Sequence, residues 1–337
     1  VADIKLLHWN IQTWSDKKSS NVNARALLNY VAHVILESKA NIVSLLEVHS
    51  SYADAICQHL LASIITILQI QPRACPWRYY WIDSGEREAY VTLVKYGNNF
   101  VAWNAGKSDK QICGLSNQAK VTEQKGTLEF CSTSSPRGGR LPYYTSFKTT
   151  DTNKKFTVVA YHAMYGDSTP DGVRSAGLLA QNKAVNDSGV AIALDASLPS
   201  GDYNVHYEVN QWAYANLLGL PSWYATKDKT SLKAYTPPEG YSNSMDYRSS
   251  AYDNIFFYNG KKPSNQPVGR VFDLIKDSTL PKTGTGLLSR AITNFARSGI
   301  RNEILLGKIP PASFEDSWHI VRDAISDHLP VVIEVTI

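Results

Sequence analysis

Asn41-Ile42-Val43-Ser44-Leu45-Leu46-Glu47-Val48 is the stretch that decides the fold. Ile42 to Leu46 is short and apolar with β-branched residues at its start, as a buried strand requires, and it ends on an acid. Upstream, Val22 to Glu37 sets Val22, Ala26, Leu27, Tyr30, Val31, Val34 and Ile35 at helical spacing, and Ile4 to Trp9 forms an apolar strand before that helix. Strand, helix and strand in this order predict an α/β or α+β layered fold with its chemistry at strand ends and in the loops that follow.

Working outward, a helix is expected over Ser51 to Leu68, then short strands at Trp77 to Ile82, Ala89 to Tyr96, Asn99 to Trp103, Gly126 to Cys131, Tyr143 to Thr149 and Phe156 to Tyr161. Helical spacing returns at Val173 to Val185 and His206 to Leu218. Tyr252 to Tyr258 reads as a strand, and Val331 to Ile337 alternates as a closing one.

The chain has 337 residues, 43% hydrophobic and 19% charged, which allows a large core and excludes disordered and fibrous classes. No Pro/Gly/Ser-rich linker divides it, so a single domain over 1–337 is expected. A net charge of +4 and a pI near 8.7 favour a polyanionic partner without naming one. No apolar run reaches the roughly 20 residues of a membrane span. Cys57, Cys75, Cys113 and Cys131 form no CxxC pair, which argues against a zinc ribbon and leaves two disulfides or buried thiols open. A chain that starts at Val1 with a strand under way by Ile4 fits removal of a secretory signal, or simple shortening; a secreted or periplasmic setting is the expectation.

Polar residues stand directly at the ends of apolar runs in five places. They are Asn10 after LLHW, Glu47 after NIVSLL, His162 after FTVVAY, Asp202 and Asn204 in PSGDYN, and Asp327 with His328 before LPVVIEV; Asp253 lies in AYDNIFF. Gly201 in PSGDYN is expected to permit an unusual backbone turn. Alone, a strand-end Asn is usually a turn former and a lone His a satisfied core residue. Together these are the groups that phosphodiester hydrolysis needs: carboxylate and amide oxygens for a hard cation, and imidazoles to move protons.

Taken in order, NIQTW, LEV, the Tyr-His step, GDYN, AYDNIFF and AISDHLPV resemble the endonuclease/exonuclease/phosphatase superfamily, and within it the deoxyribonuclease I branch, from residue 10 to residue 335. The resemblance implies a four-layer sandwich, with two mixed β-sheets face to face, helices on the outer faces, and the site where loops of both sheets meet. It implies Glu47 as the principal ligand of Mg²⁺, or of Mn²⁺ or Ca²⁺, with Asn10 and Asp327, an oxygen-rich set suited to hard ions. Asp202 and Asn204 would orient the attacking water and the phosphate, and His328, bonded to Asp253, would act as base or phosphate clamp. His162 would be the general acid, held by Glu88, whose charge keeps an imidazole protonated. Arg140 matches an Arg-x-Pro element that contacts substrate phosphate.

The chain departs from that family at positions that touch substrate. Leu46 replaces the usual Gln before the metal-binding glutamate, Gln12 and His49 stand where deoxyribonuclease I has DNA-contacting arginines, and Glu86 where it has a minor-groove tyrosine. Losing cations weakens duplex binding. DASLPSGDYN carries small and polar residues where the family leads into GDxN with a strongly apolar strand, and an insert occupies about 260–318. The expectation is a metal-dependent phosphodiesterase, with an endonuclease on DNA or RNA favoured. A sphingomyelinase-like or inositol-phosphate enzyme is the alternative. A non-enzymatic module is disfavoured, because an idle site has no reason to keep so many polar groups.

Overall fold

The computed structural model describes residues 3–14, 22–83, 87–97, 99–102, 118–120, 143–162, 183–185, 191–204, 223–232, 248–257, 267–274 and 321–337. In chain order the elements are β1 (Asp3–Trp14), α1 (Val22–Glu37), β2 (Ile42–His49), α2 (Ala53–Leu68), β3 (Trp77–Asp83), β4 (Glu88–Lys95), β5 (Phe100–Ala102), β6 (Gln118–Lys120), β7 (Tyr143–Thr149) and β8 (Lys155–His162). There follow β9 (Lys183–Val185), β10 (Ala191–Ala193), β11 (Ala196–Asp202), β12 (Trp223–Tyr224), β13 (Asp253–Phe257), β14 (Val268–Val271) and β15 (Val331–Thr336).

Two mixed sheets pack face to face, as expected for an α/β sandwich. The first has seven strands in the order β14-β15-β1-β2-β4-β3-β6, and the second six in the order β12-β13-β11-β8-β7-β5. Strand alternation builds both cores. Leu7, Trp9 and Ile11 of β1 face α1 and α2 together with Val43 and Leu45 of β2, whereas Ile4, Leu6, Ile42 and Leu46 face the second sheet and meet Phe156, Val158, Leu198 and Ile255. The parallel pairing of β1 with β2, with α1 between them in the chain, is the unit foreseen from Ile42 to Leu46. Residues 206–218 and most of 173–185, expected as helices, lie outside the described residues, as does Gly126 to Cys131.

Several sequence expectations change. β1 and β2 run past Trp9 and Leu46, so that Asn10 and Glu47 lie inside strands. The end of the segment expected to be helical at Val173 to Val185 is β9, paired antiparallel with β10. Strand pairing wins over helical spacing at Lys183 to Val185, just before the turn-forming residue types Asn186-Asp187-Ser188-Gly189. β14 arises within the stretch read as an insert, where Val268 to Val271 pair with β15.

Ser50 to Leu68, a helical turn followed by α2, is long and apolar enough by length and composition to cross a membrane, a feature the reading of apolar runs passed over. In the fold, Ile56, Cys57, Leu60 and Ile64 pack into the core that α1 shares. Cys57 and Cys75 are buried free thiols, so no Cys57–Cys75 bridge forms; Cys113 and Cys131 lie outside the described residues.

β11 is wholly buried despite its small and polar composition. Ser200 Oγ donates to the Val159 carbonyl at 3.0 Å and Thr157 Oγ1 to Ser197 Oγ at 3.3 Å, so its hydroxyls are satisfied inside the sheet. Pro199 is tolerated because the pairing with β13 begins only at Ser200. Gly201 does not make the turn foreseen for it. It sits in extended strand, where a Cβ would lie 2.2 Å from the backbone oxygen of Tyr161; the glycine permits close approach of β8.

Candidate active site

One edge of the sandwich collects the polar strand ends. Asn10 and Glu47 lie near the C-terminal ends of parallel β1 and β2, and Glu88 opens β4, which runs antiparallel to β2. In the second sheet His162 and Asp202 end parallel β8 and β11 as direct register partners, and Asp253 opens antiparallel β13 opposite Asp202. Asp327 and His328 precede β15, antiparallel to β1. Strand direction therefore brings to one edge residues more than 300 positions apart.

Bulges aim the acids. β2 carries one more residue than β4 between the Leu45–Val91 and Val48–Ala89 pairs, and β1 is irregular between Asn10 and Trp14. Within these interruptions Glu47 has φ 57° and Gln12 φ 47°, left-handed values that a non-glycine residue holds at a cost of about 1–3 kcal/mol. The Glu47 N–H donates to Glu88 Oε1 at 3.0 Å, which fixes the bulge from the neighbouring strand.

Asp202 Oδ2 is the hub. It accepts from Asn10 Nδ2 at 3.1 Å and lies 3.7 Å from His162 Nε2 and 3.8 Å from His328 Nε2. The same Asn10 amide donates to Glu47 Oε1 at 3.0 Å, and that oxygen is 3.9 Å from His162 Nε2. The other Asp202 oxygen accepts the Asn204 N–H at 2.9 Å, with Asn204 in a left-handed turn at φ 50°. On its far side, His162 Nδ1 contacts Glu88 Oε1 and Oε2 at 3.0 and 3.1 Å, and Tyr90 OH accepts its backbone N–H.

His328 is gripped from behind. Its Nδ1 is 2.7 Å from Asp253 Oδ2, which also accepts from Thr230 Oγ1 at 2.7 Å. Trp9 Nε1 donates to the His328 carbonyl at 2.9 Å, and Ser326 Oγ bridges the His328 N–H and the Asn10 carbonyl. Trp9 is fully buried, which stabilises by roughly 2–3 kcal/mol while seating this loop.

The electrostatics follow from burial. Desolvation and then the Asp253 charge push Asp202 above the usual carboxylate range, against the opposing pull of His328, His162 and the Asn204 N–H. Burial also works to raise Asp253, but the charge and hydrogen bond of His328, with His8 behind, hold it well below that range. Desolvation opposes charging of His328, yet Asp253, Asp202 and Asp327 outweigh it and raise its pKa well above the ordinary imidazole value.

Every described site residue read from the sequence, Asn10, Glu47, Glu88, His162, Asp202, Asn204, Asp253, Asp327 and His328, lies at this edge; Arg140 lies outside the described residues. His8 was missed. It is fully buried, with Nε2 3.5 Å from Asp253 Oδ1. A histidine in the middle of an apolar strand, two residues before Asn10, was the available signal.

The donor set fits a hard divalent ion. Asp327 Oδ1 is shut off from solvent without a hydrogen-bond partner, and ligand atoms of Asp202, Asp253 and His328 lie within 4.8 Å of one another. Glu47, Glu88, Asp202, Asp253 and Asp327 outnumber His8, His162 and His328, an excess of carboxylates that suits a cation. His328 Nδ1 is already committed to Asp253, which marks those two as a hydrogen-bonded pair. Glu47 and Asp327, with Asp202 beside them, are the better oxygen donors. Asn10 joins them only by turning its amide, since its Oδ1 now accepts the Gln12 N–H.

No protein-family model and no curated protein sequence matches the chain. Solved structures do match in fold. An endonuclease/exonuclease/phosphatase from Bacteroides vulgatus superposes with a TM-score of 0.52 at 14% identity over 100% of both chains. A humanized D. rerio TDP2 gives 0.52 at 9% identity over 100% of both. The mannosyl-6-phosphatase Bt3783 of Bacteroides thetaiotaomicron gives 0.50 at 13%, covering 99% of this chain and 100% of that one. The chain thus shares the two-sheet sandwich fold of these solved structures.

Proposed function

We propose that the chain is a divalent-metal-dependent phosphoesterase, and that its substrate is a phosphodiester of nucleic acid. The observation that carries the reading is the convergence of His162, His328 and Asn10 on the single oxygen Asp202 Oδ2, with Glu47 alongside. A bound Mg²⁺ or Mn²⁺, held by Glu47 and Asp327 with Asn10, would neutralise phosphate charge.

The protein's own groups divide the remaining work. Asp202, made more basic by burial and by Asp253, accepts a proton from the attacking water, and Asn204 shapes the turn that presents it. His328, whose pKa is raised, is an imidazolium near neutral pH and acts as a phosphate clamp; this choice between the two roles open to it follows from its contact with Asp253. His162 protonates the departing oxygen, with Glu88 fixing its ring through Nδ1 so that Nε2 faces the site. Arg140 is assigned to the substrate phosphate.

Nucleic acid is preferred on the basic balance of the chain and its resemblance to the nuclease branch. A second reading, a small or lipid phosphoester such as an inositol phosphate or sphingomyelin, is favoured by His49. That residue replaces a DNA-contacting arginine, and its Nδ1 accepts the Ser51 N–H while its ring leans on Tyr52 at 5.2 Å. The fold match to a mannosyl-6-phosphatase keeps a sugar phosphate in view as well.

The test is incubation with supercoiled DNA, single-stranded DNA, RNA, sphingomyelin and an inositol phosphate, each with Mg²⁺, Mn²⁺ or EDTA, beside His162→Ala. Cleavage of a nucleic acid that EDTA and His162→Ala abolish is the expected result. Turnover of sphingomyelin or the inositol phosphate alone would transfer the assignment to the second reading.

A further inference from the structure

His8 has no part in the machinery described so far, yet its position is costly. It lies fully buried in β1 on the face toward the second sheet, next in that row to Ile4 and Leu6, and its register partners are Ser44 of β2 and Val331 of β15. An imidazole among such neighbours needs a reason, because a buried polar group without a partner destabilises the fold. Its one close polar contact among those described is Asp253 Oδ1 at 3.5 Å, across the interface between the sheets. That oxygen and both His8 nitrogens otherwise lack hydrogen-bond partners.

Asp253 is thereby held at both oxygens. Oδ2 takes His328 Nδ1 and the Thr230 hydroxyl, and Oδ1 faces His8 Nε2. If Oδ1 faced only apolar atoms, the carboxylate could rotate about its Cβ–Cγ bond and exchange the oxygen that faces His328. A donor at Oδ1 removes that freedom.

We propose that His8 is a positioning residue for the reaction: it locks the Asp253 carboxylate from beneath and so fixes the ring of His328 toward Asp202. The proposal rests on the hydrolytic reading above only for its kinetic consequence. The positional consequence stands without it. The residue has no role in holding metal, so its loss changes turnover and leaves metal affinity unaltered.

The test compares wild type with His8→Leu and with His8→Gln, whose amide nitrogen can replace Nε2, using bis(p-nitrophenyl) phosphate with Mn²⁺. Loss of a residue that orients a site side chain lowers rates by about tenfold to a hundredfold. His8→Leu should show such a fall in kcat with KM and Mn²⁺ affinity within about twofold of wild type, and His8→Gln should restore most of it. In an Asp253→Asn background, His8→Leu should cost nothing further, whereas a purely structural residue would cost the same in both. In metal-free protein, the low-field proton signal of His328 Nδ1 should move or vanish in His8→Leu and persist in His8→Gln. If His8→Leu does not fold, His8→Met supplies both measurements. Wild type that hydrolyses no phosphoester would sink the hydrolytic reading and leave the proton signal to decide on His8. An unchanged kcat together with an unchanged signal, or an equal loss in the Asp253→Asn background, would overturn the inference.

Discussion

His162 and Asp202 are register partners at the ends of the parallel strands β8 and β11, and His162 Nε2 lies 3.7 Å from Asp202 Oδ2. The proposed general acid and the proposed proton-accepting carboxylate are thus set side by side by backbone pairing, with no loop needed to bring them together. Asp202→Asn keeps the size and the Asn204 hydrogen bond but removes the basic oxygen. It should lower kcat by about 10²–10⁴-fold with little change in KM. Steady-state kinetics on whichever phosphoester the wild type cleaves will show this, and a fall of less than threefold would remove Asp202 from the chemistry.

Glu47 pairs strained backbone with crowded charge. Its φ of 57° and its approach to Asp202 through Asn10 are maintained at a cost to stability. Glu47→Gln relieves like-charge repulsion, so the metal-free variant should be more stable than wild type by about 0.5–2 kcal/mol. Added Mn²⁺ should reverse the order, because the variant binds the ion more weakly. Thermal melts with EDTA and with Mn²⁺ measure both halves; identical Mn²⁺ shifts in the two proteins would remove Glu47 from the metal site.

Glu88 ties two functional residues together, accepting the Glu47 N–H and holding His162 Nδ1. Glu88→Ala should therefore reduce both turnover and metal affinity, by about tenfold to a hundredfold each. Glu88→Gln keeps an acceptor for each donor and should lose much less. Calorimetric Mn²⁺ titration alongside kinetics separates the two effects, and equal behaviour of the two variants would contradict the coupling.

Gly201 permits close packing of β8 on β11. A Cβ there meets the Tyr161 carbonyl oxygen at 2.2 Å, and backbone cannot swing aside as a side chain can. Gly201→Ala should destabilise by about 1–3 kcal/mol or more and separate His162 from Asp202. Chemical denaturation provides the measure; wild-type stability would show that the strands have room to part.

The His328–Asp253 pair makes metal-free stability depend on pH. His328 has a raised pKa, so its contribution is complete below the ordinary imidazole value of about 6.5 and is lost as pH rises through the raised value. Asp253 has a lowered one, so its contribution is present above the ordinary carboxylate value of about 3.9 and is lost as pH falls through the depressed value. In EDTA, the melting-temperature gap between wild type and His328→Asn should be widest between about pH 4 and 6.5 and narrow on either side. A gap that grows toward alkaline pH would refute the assignment.

How much of this was legible in the chain differs from residue to residue. Asn10, Glu47, His162, Asp202 and His328 could be picked out because each interrupts an apolar run, and such runs are local patterns. Gly201 was noticed for the wrong reason, since conformational freedom is a property of one residue whereas close approach depends on a strand 40 positions away. The helical reading of Val173 to Val185 failed at its end for a related cause: pairing with β10 outweighed spacing. His8 was passed over because a histidine in a strand acquires meaning only from what faces it across the sheets.

The sequence by itself determined the alternation of strand and helix, the α/β class and the order of the polar strand ends, because periodicity and residue type act over a few neighbours. Only the tertiary structure decided which of those ends touch. Sheet register, strand direction and bulge position are set by burial of both sheet faces at once, and a slip of one residue would turn His162 or Asp202 away from the site.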